Sequence, residues 1–441
     1  MNFSPDIYKD RRNAVIAELE DNAVAILPSA KACTRSRDTE YSFRQDSNFL
    51  YLTGFEEPES WLILRASKDE PQSLLFCRER NKEKEIWEGL MAGPEGAVDT
   101  FGLDKAYPLD ALEAQMVSLL DGCSAVYLCL GQDAAFEAQV SSWINAVRAK
   151  ARTGAKAPNK IVNLEPIVHE KRLFKQPEEI EALKVSCALA AKAHTRAMQF
   201  CAKNKQNDIF EYQLEAEILH EFAMSGARHA AYNTIVGGGK NACILHYTEN
   251  NQLLDKNSLV LIDAGCEHRD FAADITRPFP VGGKFNAEHK AVEELTLKAQ
   301  DAAGADVYPG SPWIAPHDAS VKVITEGLVE LGLLKGDVDS LIKDEAFKQF
   351  YMHRVGHWLG MDVHDVGDYK TDGKWRALEP GMVMTIEPGI YVAPDDESVE
   401  ARWRGIGIRI EDDVLVTEKG AEVLTKDAVK SVTDIEALMA G

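Results

Sequence analysis

A chain of 441 residues is long enough for two or three domains, each with its own core. With 45% hydrophobic and 27% charged residues it has the balance of an ordinary globular protein, and no run of about 18 apolar residues offers a membrane-spanning helix. A formal charge of −22 argues against a nucleic-acid or anionic-membrane partner, which needs a basic surface, so neither is expected. In chain order, the opening residues Met1 to Asp10 lack the apolar core of a secretory signal. A helix is predicted from Ile7 to Glu20. Short apolar strands follow at Ala23 to Leu27, Trp61 to Leu64, Ser73 to Phe76 and Ala125 to Leu128. Strands alternating with helices predict a layered α/β unit. Arg35, Arg37 and Arg44, with Gln45, Asp46 and Ser47, read as a polar loop. The stretch Thr153 to Asn159, with Gly154 and Pro158, reads as a linker. Pro177, Glu178 and Glu179 open a long helix reaching about Phe200, since proline and acids suit a first turn. Another helix is predicted from Phe210 to Ser225, and two more from Ala287 to Gly304 and Ala315 to Leu333. The domain division is placed at residues 1–173 and 174–441. Eight scattered cysteines without a C-x-x-C pair read as reduced thiols, and the chain is expected in the cytoplasm.

The second part is the richer in chemistry. Leu259-Val260-Leu261-Ile262 is an apolar run that ends on a carboxylate, Asp263, and Ala272-Ala273-Asp274-Ile275 reads as the returning strand. A turn centred on His268 and Arg269 sets Asp263 opposite Asp274, with Cβ atoms about 5 Å apart. Like charges at the end of a buried strand need compensation. A cation, a shared proton or an arginine would supply it.

Three downstream segments bring further candidates. His353, His357 and His364 fall within a dozen glycine-rich residues. Gly381 to Ile386 is a strand ending on Glu387, with Pro388-Gly389 behind it. Gly405 to Asp413 alternates with period 2, placing Ile406, Ile408 and Ile410 on one face and Arg409, Glu411 and Asp413 on the other. Asp263, Asp274, Glu387 and Glu411 with His357 make an oxygen-rich donor set, which favours a hard ion such as Mn²⁺ or Mg²⁺. Four carboxylates leave one small cation with excess negative charge, whereas two divalent ions balance them.

Asp263-Ala264-Gly265, Asp274-Ile275-Thr276-Arg277, His353-x-x-x-His357-x-Leu359-Gly360, Thr385-Ile386-Glu387-Pro388-Gly389 and Gly407-Ile408-Arg409-Ile410-Glu411 resemble the pita-bread metallopeptidases. Tyr41 to Phe55, Ile244 to Asn250 and Arg402 to Asp413 are similar to the bacterial aminopeptidase P group in particular. The resemblance implies a creatinase/prolidase-like α/β domain at residues 1–173, with roles in oligomerisation and substrate access, and a pita-bread catalytic domain at 174–441. It implies removal of a first residue that precedes proline, with two Mn²⁺ ions as cofactor and peptides with proline at the second position as partners. Asp263 would hold one ion, Asp274 and Glu411 both, and His357 with Glu387 the other. Glu387 would also shuttle a proton to the leaving nitrogen. His246 and His364 would flank the scissile bond and stabilise the oxyanion. His353, Arg409, Tyr391 and Trp87 would line the proline pocket, while Tyr232 and Arg409 would orient Asp263. A homodimer or homotetramer is implied. Arg354 departs from the group's pattern, which carries glycine there, and bears on substrate range. A prolidase confined to dipeptides is the alternative within the class, and a metal-free binding module is the alternative outside it.

Overall fold

The structure, a computed structural model, describes residues 3–67 and 72–440. The chain forms two compact units, Met1–Arg172 and Leu173–Gly441. The first is built on a six-stranded mixed sheet in the order Lys105–Pro108, Gln72–Cys77, Trp61–Arg65, Val24–Pro28, Val126–Leu128, Ile161–Asn163. The central strands bury apolar residues on both faces, Val24 to Leu27, Leu62 to Leu64 and Val126 to Leu128. The two edge strands, Lys105–Pro108 and Ile161–Asn163, carry exposed and polar residues, so no apolar run announced them. Thr153 to Asn159 is not a linker between the units. It lies inside the first one, tied by hydrogen bonds from Gly122 N to Lys156 O and from Lys156 N to Asp121 Oδ1, and it leads into the edge strand.

The second unit repeats one plan: a pair of long helices followed by an antiparallel sheet. The helix Pro177–Asn204 starts where Pro177 occupies the first turn and Gln176 and Glu179 cap each other. It buries Ala182, Ser186, Cys187, Ala190, Ala193, Ala197 and Cys201, small residues at helical spacing that allow close approach to the strands beneath. With Glu211–Met224 it accompanies the sheet Ile235–Gly238, Leu259–Asp263, Thr276–Pro280. The helices Ala287–Ala305 and Ala315–Glu330 accompany the sheet Val383–Ile386, Asp412–Thr417, Gly420–Val423 and the ribbon Gly389–Tyr391/Gly407–Arg409. Ile406, Ile408 and Ile410 enter one core cluster with Val292, Ile324 and Leu328, so the apolar side of the period-2 pattern faces the helices.

Two expectations of register change. Asp263 pairs with Thr276, and Glu267 and His268 pair with Ala272 and Phe271. The turn is therefore centred on Arg269 and Asp270, both with positive φ, which is the geometry of a tight hairpin turn matched to strand twist. Asp274 moves from opposite Asp263 to the diagonal position. A two-residue change of partner keeps side chains on the same face, so the carboxylates still converge. The second change concerns Gly405 to Asp413, which is not one strand. Gly407–Arg409 pairs with Gly389–Tyr391, and Asp412–Thr417 pairs with Val383–Ile386. Glu411 stands where the chain passes from one ribbon to the other.

Candidate metal centre

Both halves of the second unit deliver carboxylates to one cavity of about 340 Å³. Asp263 ends its strand there. Asp274 follows the hairpin, Glu387 follows Val383–Ile386, and Glu411 sits at the ribbon crossing. His357 reaches the same cavity from the irregular segment after Tyr351, together with His246, His353, Arg354, His364 and Arg409. Donor atoms of Asp274, His357 and Glu411 all lie within 4.8 Å of one another. His357 Nε2 is 3.4 Å from Asp274 Oδ2 and 3.6 Å from Glu387 Oε1.

The surrounding bonds hold these donors in place. His357 Nδ1 donates to the carbonyl of Trp358 at 2.9 Å, so Nε2 is the nitrogen facing the carboxylates, and its lone pair is offered to a cation once its proton leaves. Tyr232 OH lies 2.6 Å from Asp263 Oδ1 and 2.5 Å from Asp274 Oδ1, tying the two acids together. Arg409 donates from Nη2 to Asp263 Oδ2 at 2.5 Å, from Nε to Thr276 Oγ1 at 3.0 Å and from Nη1 to Tyr391 OH at 2.9 Å. Thr276 Oγ1 in turn donates to Glu411 Oε2 at 2.6 Å. The long helix secures the hairpin from behind: His194 Nε2 donates to Ala264 O at 3.0 Å and Ser186 Oγ to Phe271 O at 2.9 Å. Tyr391 also meets His353 Nε2 at 3.0 Å. Because His353 Nδ1 is spent on the carbonyl of Arg354, the Tyr391 hydroxyl is the donor in that pair. Burial, with the positive charge of Arg409, lowers His353 to about 3, so the ring is neutral.

Electrostatics supplies the test of whether a cation belongs here. Burial, then the charges of Asp274, Glu387 and Asp263, push Glu411 well above the usual carboxylate range. Burial and the charge of Asp263 raise Asp274, and burial raises Glu387 to about 7. Burial alone would lower His357, but its bond to Asp274 and the charges of Glu387 and Asp274 raise it to about 9. Four crowded acids with Arg409 as the one guanidinium in contact, among the described residues, form a site short of positive charge. The donors fit divalent cations, and their oxygen-rich character fits hard ones.

The family model for Metallopeptidase family M24 matches residues 181–418, and that for the Aminopeptidase P, N-terminal domain matches residues 8–127. The chain belongs to metallopeptidase family M24. The chain is 46% identical to the Xaa-Pro aminopeptidase of Escherichia coli (strain K12), over 98% of this chain and 97% of that one. It is 42% identical to the Xaa-Pro aminopeptidase of Haemophilus influenzae, over 98% and 96%. Among solved structures, Pseudomonas aeruginosa aminopeptidase PepP superposes with a TM-score of 0.97 at 50% identity, covering 100% and 98% of the two chains. The zinc-substituted E. coli aminopeptidase P in complex with product gives 0.96 at 45% identity, covering 100% and 99%. The architecture is thus an aminopeptidase P amino-terminal domain followed by a pita-bread M24 domain.

Of the residues singled out in the sequence, Asp263, Asp274, His246, His353, Arg354, His357, His364, Glu387, Arg409 and Glu411 line this cavity, and Tyr232 is bonded to two of its carboxylates. The structure adds Thr276, Thr385 and Tyr369. Thr276 joins Arg409 to Glu411, and Thr385 Oγ1 accepts from the His357 backbone N–H. Each stands two residues from a carboxylate of the site, on the same strand face, which was a signal in the sequence. Asp413 does not share the cavity with Arg409 and Glu411. It accepts from Asp274 N at 3.0 Å and from Cys187 Sγ, behind the site. Trp87 lies on the exposed helix Lys82–Glu88 of the amino-terminal unit.

Proposed function

We propose that this M24 enzyme hydrolyses the peptide bond between an amino-terminal residue and a following proline, with two divalent ions, Mn²⁺ first among them. The observation that carries the reading is the convergence of Asp263, Asp274, His357, Glu387 and Glu411 on one cavity that also holds His246, His353, His364 and Arg409. The full-length likeness to Xaa-Pro aminopeptidases supports the choice of substrate.

Asp263, Asp274, His357, Glu387 and Glu411 would hold the ions, which supply Lewis-acid polarisation of the carbonyl and a water nucleophile near neutral pH. Glu387, raised to about 7 when no cation is bound, is suited to carry a proton towards the leaving nitrogen. His246 and His364 face the cavity and would stabilise the oxyanion. The His364 ring stands edge-on to His357 at 4.2 Å, and burial lowers its proton affinity, so it acts as a neutral donor. The rigid pair His353–Tyr391, anchored on Arg409, would seat the proline, with Trp87 as a further contact. Tyr232 and Arg409 act through Asp263 by fixing its orientation.

The amino-terminal domain is assigned to oligomerisation and substrate access, with a homodimer or homotetramer as the assembly, measurable by light scattering. Eight free cysteines support a reducing, cytoplasmic setting. The reading is tested by loading purified protein with Mn²⁺, counting ions per chain, and comparing Ala-Pro with Ala-Pro-Ala. About two ions and cleavage of the tripeptide are expected. Activity confined to the dipeptide would make the enzyme a prolidase. Fewer than one ion per chain, with activity surviving a chelator, would end the dinuclear reading.

A further inference from the structure

The metal cavity carries, besides its acids and histidines, one cation that no part of the proposed chemistry uses. Arg354 lines the cavity next to His353, and its side chain is exposed. Arg409 is engaged through all three of its nitrogens by Asp263, Thr276 and Tyr391. Arg354 is different. Among the described residues it makes no ion pair, and its guanidinium rests instead over the ring of Trp375 at 5.9 Å. That ring is itself fixed, stacked on Trp313 at 5.5 Å with 24° between planes. Trp313 in turn meets Tyr369 edge-on at 4.6 Å, and Tyr369 lines the same cavity. Lys370 Nζ lies 4.2 Å from the Trp375 centroid, so a second positive charge rests on the same indole. An arginine held against an indole plane keeps its fork of N–H donors free for a planar anion. Holding it there in advance reduces the entropy lost when a ligand binds.

We infer that Arg354 is a specificity-determining residue that reads a carboxylate on the carboxyl side of the substrate proline. The inference rests on the proposed function, because His353, its neighbour, is placed at the proline. Two sources offer that carboxylate: the free carboxyl terminus of a tripeptide, or an acidic side chain at the third position of a longer peptide. Both present the same bidentate partner to the guanidinium.

The test uses metal-loaded enzyme and four peptides: Ala-Pro-Ala, Ala-Pro-Ala-amide, Ala-Pro-Glu-amide and Ala-Pro-Gln-amide. Wild type is expected to favour Ala-Pro-Ala over its amide by about tenfold in kcat/KM, mainly through KM, as for one charge-assisted hydrogen-bonded pair. Arg354→Gln should bring that ratio to near one, and Arg354→Glu should invert it. Raising salt should shrink the wild-type ratio while leaving that of Arg354→Gln flat. A Glu-over-Gln preference without an acid-over-amide preference assigns the side-chain source, and the reverse assigns the terminus. Equal ratios in wild type and Arg354→Gln for both pairs, acid over amide and Glu over Gln, would overturn the inference while leaving the function intact. Failure of wild type to cut any of the four peptides would instead strike at the function.

Discussion

At the scale of single residues, the site is governed by how few charges neutralise its acids. Asp263 is held by Arg409 and Tyr232, so its geometry does not depend on a bound ion. Replacing Asp263 with Asn keeps the shape and removes the charge. We expect Asp263→Asn to fold as wild type by circular dichroism and to lose at least about 100-fold in metal affinity, with activity falling in step. His364 lies outside the crowded acids. His364→Ala should keep its metal content and lose on the order of 100-fold in kcat, the cost of one oxyanion donor. Metal analysis beside steady-state kinetics separates the two cases. A His364→Ala enzyme that lost its ions would show the ring to be a ligand.

At the scale of elements, the hairpin between Leu259–Asp263 and Thr276–Pro280 decides where two of the acids lie. Gly265 faces the backbone of Ala273 so closely that a Cβ would stand 1.6 Å from its carbonyl oxygen. No side-chain rotation relieves a clash with backbone. Gly265→Ala is therefore expected to push the returning strand away, costing about 1–3 kcal/mol and displacing Asp274. The measurements are the thermal midpoint and the number of bound ions, both of which should fall. A variant with normal ion content would mean that the strand shifts without moving the carboxylate. The sequence already placed Asp263 and Asp274 on one face, because face follows from period 2 alone. It misplaced the turn by one residue, since Arg269 and Asp270 adopt positive φ without the glycine or asparagine that normally signals it.

At the scale of the molecule, cation binding and stability are linked through protons. In the ion-free protein the pKa of Glu387 is raised from the ordinary value of 4.5 to about 7 and that of His357 from 6.5 to about 9. A group whose folded pKa is raised stabilises the fold fully below its unfolded pKa and loses that contribution as pH climbs through the folded value. For Glu387 the loss runs between about 4.5 and about 7, and for His357 between about 6.5 and about 9. Bound ions replace those protons. The rise in thermal midpoint on adding Mn²⁺ to chelator-treated protein should therefore be larger at about pH 7.5 than at about pH 5. An equal rise at both values would mean that binding displaces no protons from these groups.

What the sequence determined by itself was mostly local. Apolar runs located the central strands and the long helices, the proline and acids at Pro177 to Glu179 marked a helix start, and carboxylates at the ends of apolar runs marked Asp263 and Glu387. Those features rest on neighbours within a few residues, so a linear reading sees them. The tertiary structure alone decided the rest. Exposed edge strands lack an apolar signature. The break at Glu411 appears only because its two flanking segments pair with different partners. Above all, Asp274, His357 and Glu411 become one donor cluster only when two halves of a domain, 137 residues apart from the first of these to the last, close on the same cavity. The free guanidinium of Arg354 beside that cavity belongs to the same class of fact: its place is set by the stacked indoles of Trp313 and Trp375, which no spacing in the chain foretells.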